Sequence, residues 1–508
     1  MSKYDYSRLQ NGSDIRGVAI DGVAGEEVNL DAEAAERIAK GFLYYLVIHT
    51  GKPASELTIS VGRDPRLSGP ALAESFFRAL APYGCRILDA GLCSTPAMFM
   101  STLFEEYRCD GAVMITASHL PFNRNGFKFF DRAGGLNKGD ITDILTFAES
   151  DSILNSLRPS AKKEPEAIPL LDTYASYLRG LITNGVDNGD NPLSGMKITV
   201  DAGNGSGGFF AEKVLSPLGA DVSSSQFLDP DGRFPNHAPN PEDKSAMASI
   251  CQRVKESSSD LGLIFDTDVD RSSAVDENGK EISRNGIVAM AAALIADEYP
   301  KTTVVTDSIT SRQLTEFLED DLHLSHLRFK RGYKNVINKA KELNDAGTDC
   351  QLAIETSGHA AYKENYFLDD GAYLAVKIVI RAAKLYRQGE GISALIRRLK
   401  TPAESTEIRL PIRAEDFSDY GDSIISQLKI LFGDGQVKGA SLEEPNYEGI
   451  RVNFRTPSVN GWMLLRKSLH DPIMPLNIES DDEGGVEEIR KVLRPLLTCW
   501  EDLDTGKL

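Results

Sequence analysis

Five short apolar runs, each rich in β-branched residues and each cut off at a polar, glycine-rich or acidic loop, constrain this chain more than any other feature. They are GAVMIT before ASHLP (111–121), KITV before DAGNG (197–205), LGLIF before DTDVD (261–270), TTVVT before DSIT (302–310) and CQLAI before ETSGH (350–359). Runs of this length without polar alternation predict strands buried on both faces. Helical patterns separate them, at 69–84, 285–299 and 371–389. Strand and helix in alternation predict repeated α/β units with mostly parallel sheets, whose ligands gather at the carboxyl ends of the strands. The five loops lie at those ends.

At 508 residues the chain is expected to divide into several domains. SLRPSAKKEPEAIPLL (156–171) and KTPAESTEIRLPI (400–412) read as connections. Beyond 405 the grammar changes: a helix in DFSDYGDSIISQLKILF, strands in GIRVNF, WMLLR and IMPLNIE, and a closing helix in GVEEIRKVLRPLLTCW predict an α+β domain. The expected domains are 1–160, 161–300 and 301–405, all α/β, and 406–508, α+β. A net charge of −19 argues against nucleic acid and anionic membrane as partners. No apolar run approaches the roughly 18–20 residues of a membrane span, and the N-terminus lacks a secretory pattern. The six cysteines are scattered, without CxxC or zinc-ligand spacing, as expected of reduced thiols in a cytoplasm.

TASHLPFNRNGFKFF (116–130) places Ser118 directly after a buried strand, in a loop with Pro121 and Gly126, and Lys128 on a return strand ten residues later. A plain β-turn-β connection fits the same residues, and a serine hydrolase is disfavoured because neither a GxSxG elbow nor a partner histidine is evident. In FDTDVDR (265–271), Asp266, Asp268 and Asp270 alternate along an extended segment, so all three share a face and can converge on one hard cation. Oxygen-only ligation favours Mg²⁺ over zinc. Glu355 and Ser357 in ETSGH could hold sugar hydroxyls, although a polar turn with a capping serine fits ETSGH better on its own. LLRKSLHDP (464–472) offers Arg466, Lys467, Ser468 and His470 as an anion cradle, or equally a solvated basic loop. Arg16 in SDIRG, Arg63, Arg66 and Ser68 in VGRDPRLSG, and Lys334 in GYKN add further donors. DAGNGSGG (201–208) lacks the GxGxxG spacing of a dinucleotide site.

In order and over essentially the whole chain, these motifs resemble the α-D-phosphohexomutase superfamily of phosphoglucomutases and phosphomannomutases. TASHLPFNRNGFK resembles the family's phosphoserine loop TASHNP…NGxK, carrying the phosphorylated nucleophile onto Ser118 and its neighbour onto His119. Asp266, Asp268, Asp270 and Arg271 match the DxDxDR metal loop; Glu355, Ser357 and His359 match the sugar loop GExSGH. The phosphate loop departs from RxSGTEP: here RKSLHDP keeps Arg466, Ser468 and Pro472 but replaces Gly, Thr and Glu with Leu469, His470 and Asp471.

The resemblance implies three related α/β domains with mixed, mostly parallel sheets and a C-terminal α+β domain around a cleft. It implies one Mg²⁺ per chain on Asp266, Asp268, Asp270 and Ser118, a hexose 1,6-bisphosphate activator, and sugar phosphates as the small-molecule partners of a monomer or dimer. Ser118, His119, Lys128, Arg16 and Arg271 would be catalytic; Lys334, Glu355, Ser357, His359, Arg466, Lys467, Ser468 and His470 would bind substrate. The expected activity is interconversion of hexose 1-phosphate and hexose 6-phosphate, glucose or mannose. A phosphoglucosamine or phosphoacetylglucosamine mutase and a silent binding homologue are the rivals, the latter opposed by the intact serine and aspartates.

Overall fold

The computed structural model describes residues 5–186, 189, 191–468 and 471–508. Two compact units emerge from chain contacts: Met1–Leu294 with Ser357–Leu395, and Ile295–Thr356 with Ile396–Leu508.

All five apolar runs form strands, at Gly111–Ile115, Ile198–Asp201, Leu261–Phe265, Thr303–Thr306 and Cys350–Ile354. In the first unit Thr58–Arg63 runs parallel to both Gly111–Ile115 and Arg86–Leu92. The return strand Arg124–Asp131 pairs antiparallel with Gly111–Ile115, setting Met114 opposite Lys128. Its other edge pairs with Asp14–Val18, setting Arg16 opposite Gly126. Mixed pairing thus brings Arg16, Ser118 and Lys128 to one end of one sheet. A Cβ on Gly126 would lie 2.0 Å from the Ile15 carbonyl oxygen, so the close approach of these strands requires glycine there.

Helices cover this sheet because their apolar residues recur at helical spacing. Ala32–Thr50 starts where the Asp31 side chain accepts from the Ala34 amide and stops at Gly51, at φ +70°. It buries Ile38, Phe42 and Leu46, with the Phe42 ring centroid 4.6 Å from that of Phe129. Each such side chain contributes about 1.5–3 kcal/mol on burial.

A second sheet in the same unit pairs Ile198–Asp201 parallel with Leu261–Phe265, and Leu261–Phe265 antiparallel with Ser272–Val275. The hairpin Ala360–Tyr362/Leu368–Asp369 leads into the helix Gly371–Tyr386.

The second unit holds Ser325–Arg328, Thr303–Thr306 and Cys350–Ile354 in parallel. It also holds a five-stranded antiparallel sheet ordered Glu404–Pro411, Ile473–Ser480, Val459–Leu465, Ile450–Thr456, Ala440–Leu442. The helices Phe417–Gly433 and Gly485–Leu497 pack Ile424, Leu428, Ile489 and Leu493 on that sheet. The fold class is therefore as the sequence implies, mixed α/β sheets followed by an α+β region.

Local differences have local causes. The helix expected over 69–84 runs as α-helix only over Gly69–Leu80, then tightens to a 3₁₀ turn at Ala81–Tyr83, where Pro82 lacks an amide hydrogen. The one expected over 285–299 ends at Ala293 and gives way to turns before Pro300. The connector 156–171 contributes an edge strand, Glu166–Ala167, parallel to Arg86–Leu92. Among the described residues no helix is long and apolar enough to cross a membrane.

Candidate active site

Ser118 is 7% exposed and sits at φ +48°, a conformation that costs a non-glycine residue energy and persists only when its surroundings impose it. They do so here in two layers. The Ser118 amide donates to Thr116 Oγ1 at 2.9 Å, and Thr116 Oγ1 donates to Asp64 at 2.7 Å. Beneath the loop, the guanidinium of Arg66 donates to the carbonyls of Ser118, Leu120, Pro121 and Arg124 at 2.5–3.0 Å and pairs with Asp64 at 3.3 Å. Arg66, one of the free donors in the sequence reading, is consumed in building the loop.

The Ser118 hydroxyl donates to Asp266 Oδ2 at 2.9 Å and accepts from Arg271 at 3.1 Å. Arg271 also donates from Nε to Asp266 at 3.1 Å and to His119 Nδ1 at 2.7 Å. Burial, then the Arg271 and Arg16 cations, push His119 down to about 2, so its imidazole is neutral and Nδ1 is an acceptor. Arg16 is held by Asp14 at 2.8 Å and by the Thr116 carbonyl.

Asp266, Asp268 and Asp270 are buried and offer oxygens that all lie within 4.8 Å of one another. The turn between them puts Val269 at φ +67°, a strained position for a β-branched residue, fixed by the Gly371 amide donating to its carbonyl at 3.1 Å. Lys128 Nζ reaches Asp268 at 3.1 Å and also pairs with Asp270. Burial and the two neighbouring carboxylates raise Asp266 well above the usual carboxylate range, whereas Lys128, His359 and Arg271 overcome the burial of Asp270 and hold it low. Asp268 Oδ1 and Asp270 Oδ1 are buried without a hydrogen-bond partner. Two orphaned carboxylate oxygens in an all-oxygen trio fit a hard dication.

His359 forms an isolated bridge with Arg271 and hydrogen-bonds Asp369 through Nδ1 at 2.5 Å. Although burial opposes its charge, Asp369 and Asp270 raise it to about 9. A protonated ring is a poor metal ligand, which favours the three aspartates as the candidate cation site over the cluster Asp270, His359 and Asp369. Gly358, at φ +94°, allows the close approach, since a Cβ there would lie 2.5 Å from the Ser272 carbonyl oxygen. Ser357 is buried in the same turn.

The other expected residues belong to the second unit. Glu355 accepts from the Gly332 amide at 2.5 Å, and Lys334 lies in the first turn of the helix Tyr333–Asp345. Arg466 is 9% exposed, with Nε unpartnered. Lys467 is engaged by Asp422 at 2.5 Å and by Ser418, and Ser468 Oγ accepts from the Asp471 amide at 3.3 Å. His470 lies outside the described residues.

Sequence reasoning passed over Thr95, Asn240 and Asp369, and named Arg66 only as a further donor. Thr95 donates from Oγ1 to Asp268 at 2.5 Å and from its amide to the Asp268 carbonyl at 2.8 Å. Asn240 accepts from Arg271 at 3.2 Å, Asp369 orients His359, and Arg66 underpins the serine loop.

Comparison with known proteins yields matches to Phosphoglucomutase/phosphomannomutase alpha/beta/alpha domains I, II and III over residues 7–152, 175–279 and 283–401. A phosphomannomutase/phosphoglucomutase of Pseudomonas putida is 30% identical, with 95% of each chain covered. A phosphoglucomutase of Neisseria meningitidis is 29% identical over 86% of this chain and 88% of its own. Among solved structures, a phosphoglucomutase/phosphomannomutase family protein from Burkholderia thailandensis superposes with a TM-score of 0.76 at 26% identity, covering 96% of this chain and 97% of that one. A buried serine held against three converging aspartates is therefore found in a chain that matches these relatives almost end to end, and the chain belongs to the phosphoglucomutase/phosphomannomutase family of α-D-phosphohexomutases.

Proposed function

We propose that the chain is a phosphohexomutase that interconverts hexose 1-phosphate and hexose 6-phosphate of glucose, mannose or both. The observation that carries this reading is Ser118, whose backbone is held at φ +48° and whose hydroxyl donates to Asp266 and accepts from Arg271. In the first half-reaction the bond from phosphorus to the Ser118 oxygen breaks and a bond to a sugar hydroxyl forms, giving a hexose 1,6-bisphosphate. After the intermediate has turned, its other phosphoryl group returns to Ser118.

Arg16 and Arg271 are assigned to the reacting phosphate, and His119 to holding Arg271 through its neutral Nδ1. Lys128 is assigned to general acid/base help at the sugar hydroxyl, a role in which its neutral amine takes up the hydroxyl's proton in one half-reaction and its ammonium returns it in the other. That role requires its pKa to fall below the usual lysine value, as neighbouring Arg16 or Arg271 would make it. Asp266, Asp268 and Asp270, with the Ser118 oxygen, would hold one Mg²⁺, a cation that neutralises charge on a transferring phosphoryl group. Glu355, Ser357 and His359 are assigned to the sugar, and Lys334, Arg466, Lys467, Ser468 and His470 to the distal phosphate. The reading includes 1,6-bisphosphate as activator, the four domains bounded near 160, 300 and 405, a monomer or dimer, and a cytoplasmic setting that suits six free cysteines.

A coupled assay over glucose, mannose, glucosamine and N-acetylglucosamine 1-phosphates, primed with 1,6-bisphosphate, tests it. Turnover of glucose or mannose 1-phosphate is expected, with one phosphate on Ser118 by mass spectrometry and neither in Ser118→Ala. Full activity of Ser118→Ala would remove the serine from the mechanism, and turnover confined to amino sugars would transfer the activity to that class.

A further inference from the structure

We propose that Arg331 is an additional phosphate-binding residue, which completes with Arg466 a two-guanidinium grip on the phosphate that is not reacting. The inference rests on the mutase reading and concerns the second unit alone.

Arg466 is buried and its Nε has no hydrogen-bond partner, a costly state for a cation unless an anion arrives. The antiparallel register pairs Ile450 with Leu465, so Gly449 lies against Arg466, and a Cβ on Gly449 would be 2.9 Å from Arg466 Cα. The preceding residue, Glu448, ties this strand end to two other loops: its carboxylate accepts from Ser308 Oγ and, at 3.1 Å, from the Arg331 amide. The next residue, Gly332, donates its amide to Glu355 at 2.5 Å. The main chain at Arg331 is thereby fixed between the Arg466 strand end and the Glu355 loop. Burial and the Arg331 cation both disfavour the charge on Arg466, with Glu448 opposing them. Two guanidiniums carried by these adjoining loops would suit a dianion with several acceptor oxygens, which each planar fork can engage with paired N–H groups.

The test is steady-state kinetics of Arg331→Ala and Arg331→Lys with the hexose 1-phosphate that the wild type turns over best, alongside thermal shift with glucose 6-phosphate. Arg331→Ala should raise KM at least about tenfold while kcat stays within about threefold. Its melting temperature without ligand should match the wild type, stabilisation by glucose 6-phosphate should be lost, and Arg331→Lys should recover part of both effects. An active wild type beside an Arg331→Ala variant with unchanged KM or undiminished ligand stabilisation would overturn the proposal. Failure of the wild type on every hexose phosphate would instead overturn the mutase reading.

Discussion

Arg66 donates to the backbone carbonyl of Ser118 at 2.5 Å from a guanidinium that is wholly buried. The same group satisfies three further carbonyls of the loop and pairs with Asp64, so one side chain fixes the backbone path from Ser118 to Arg124. A buried cation is tolerable here because both terminal nitrogens are hydrogen-bonded and Asp64 offsets its charge.

Arg66→Met should therefore destabilise the protein by about 3–5 kcal/mol, because the buried Asp64 and the loop carbonyls lose their partner together. Activity should fall with it, since Ser118 would relax from φ +48°. Denaturant unfolding followed by circular dichroism measures this. A loss under about 1 kcal/mol would mean that the loop holds its shape without Arg66.

The contrast between Ser118 and Arg66 explains what sequence could and could not reveal. Ser118, Asp266, Asp268 and Asp270 were legible because their chemistry lies in contiguous residues at the ends of apolar strands. Arg66 read as a free cation because its partners lie more than fifty residues further along the chain. Asp369 and Thr95 were hidden for the same reason: a lone Asp or Thr declares no partner until the hairpin Ala360–Asp369 closes or the strand ends meet. The strand runs were legible from hydrophobicity, but not the grouping of Ser357–Leu395 with the first unit, which depends on contacts between distant segments. Helix ends at Leu80 and Ala293 were missed because apolar spacing continues past the point where Pro82 and Pro300 constrain the backbone.

Thr95 grips Asp268 twice, through its hydroxyl and its amide, and leaves Asp268 Oδ1 unpartnered and available. Thr95→Val keeps the shape and the amide bond while deleting the hydroxyl bond. It should weaken Mg²⁺ by roughly ten- to a hundredfold, as expected when a ligand's supporting hydrogen bond is lost. Exhaustive chelation should silence the wild type and Mg²⁺ should restore it. Equal Mg²⁺ activation midpoints in the two proteins would show that Thr95 does not orient a ligand, and activity that survives chelation would remove the cation from the reaction.

His237 offers a pH-dependent test of the loop behind Arg271. Its Nε2 faces Asp201 at 3.0 Å and its Nδ1 faces the Ala238 carbonyl at 2.9 Å. Two acceptors demand two N–H groups, so the ring is protonated; burial opposes that charge, but Asp201 outweighs it and raises the pKa above the ordinary value. A histidine raised on folding contributes stability that is fully present below its unfolded value near 6.5, and that is lost as pH rises through the higher folded value. The loop it anchors carries Asn240, which accepts from Arg271 at 3.2 Å, so loosening it should also reach the serine site. His237→Gln should melt below the wild type at about pH 6, and the gap should narrow as pH rises through the raised folded value of the histidine. A gap that stays constant over this range would mean that the His237–Asp201 contact does not depend on the imidazolium charge.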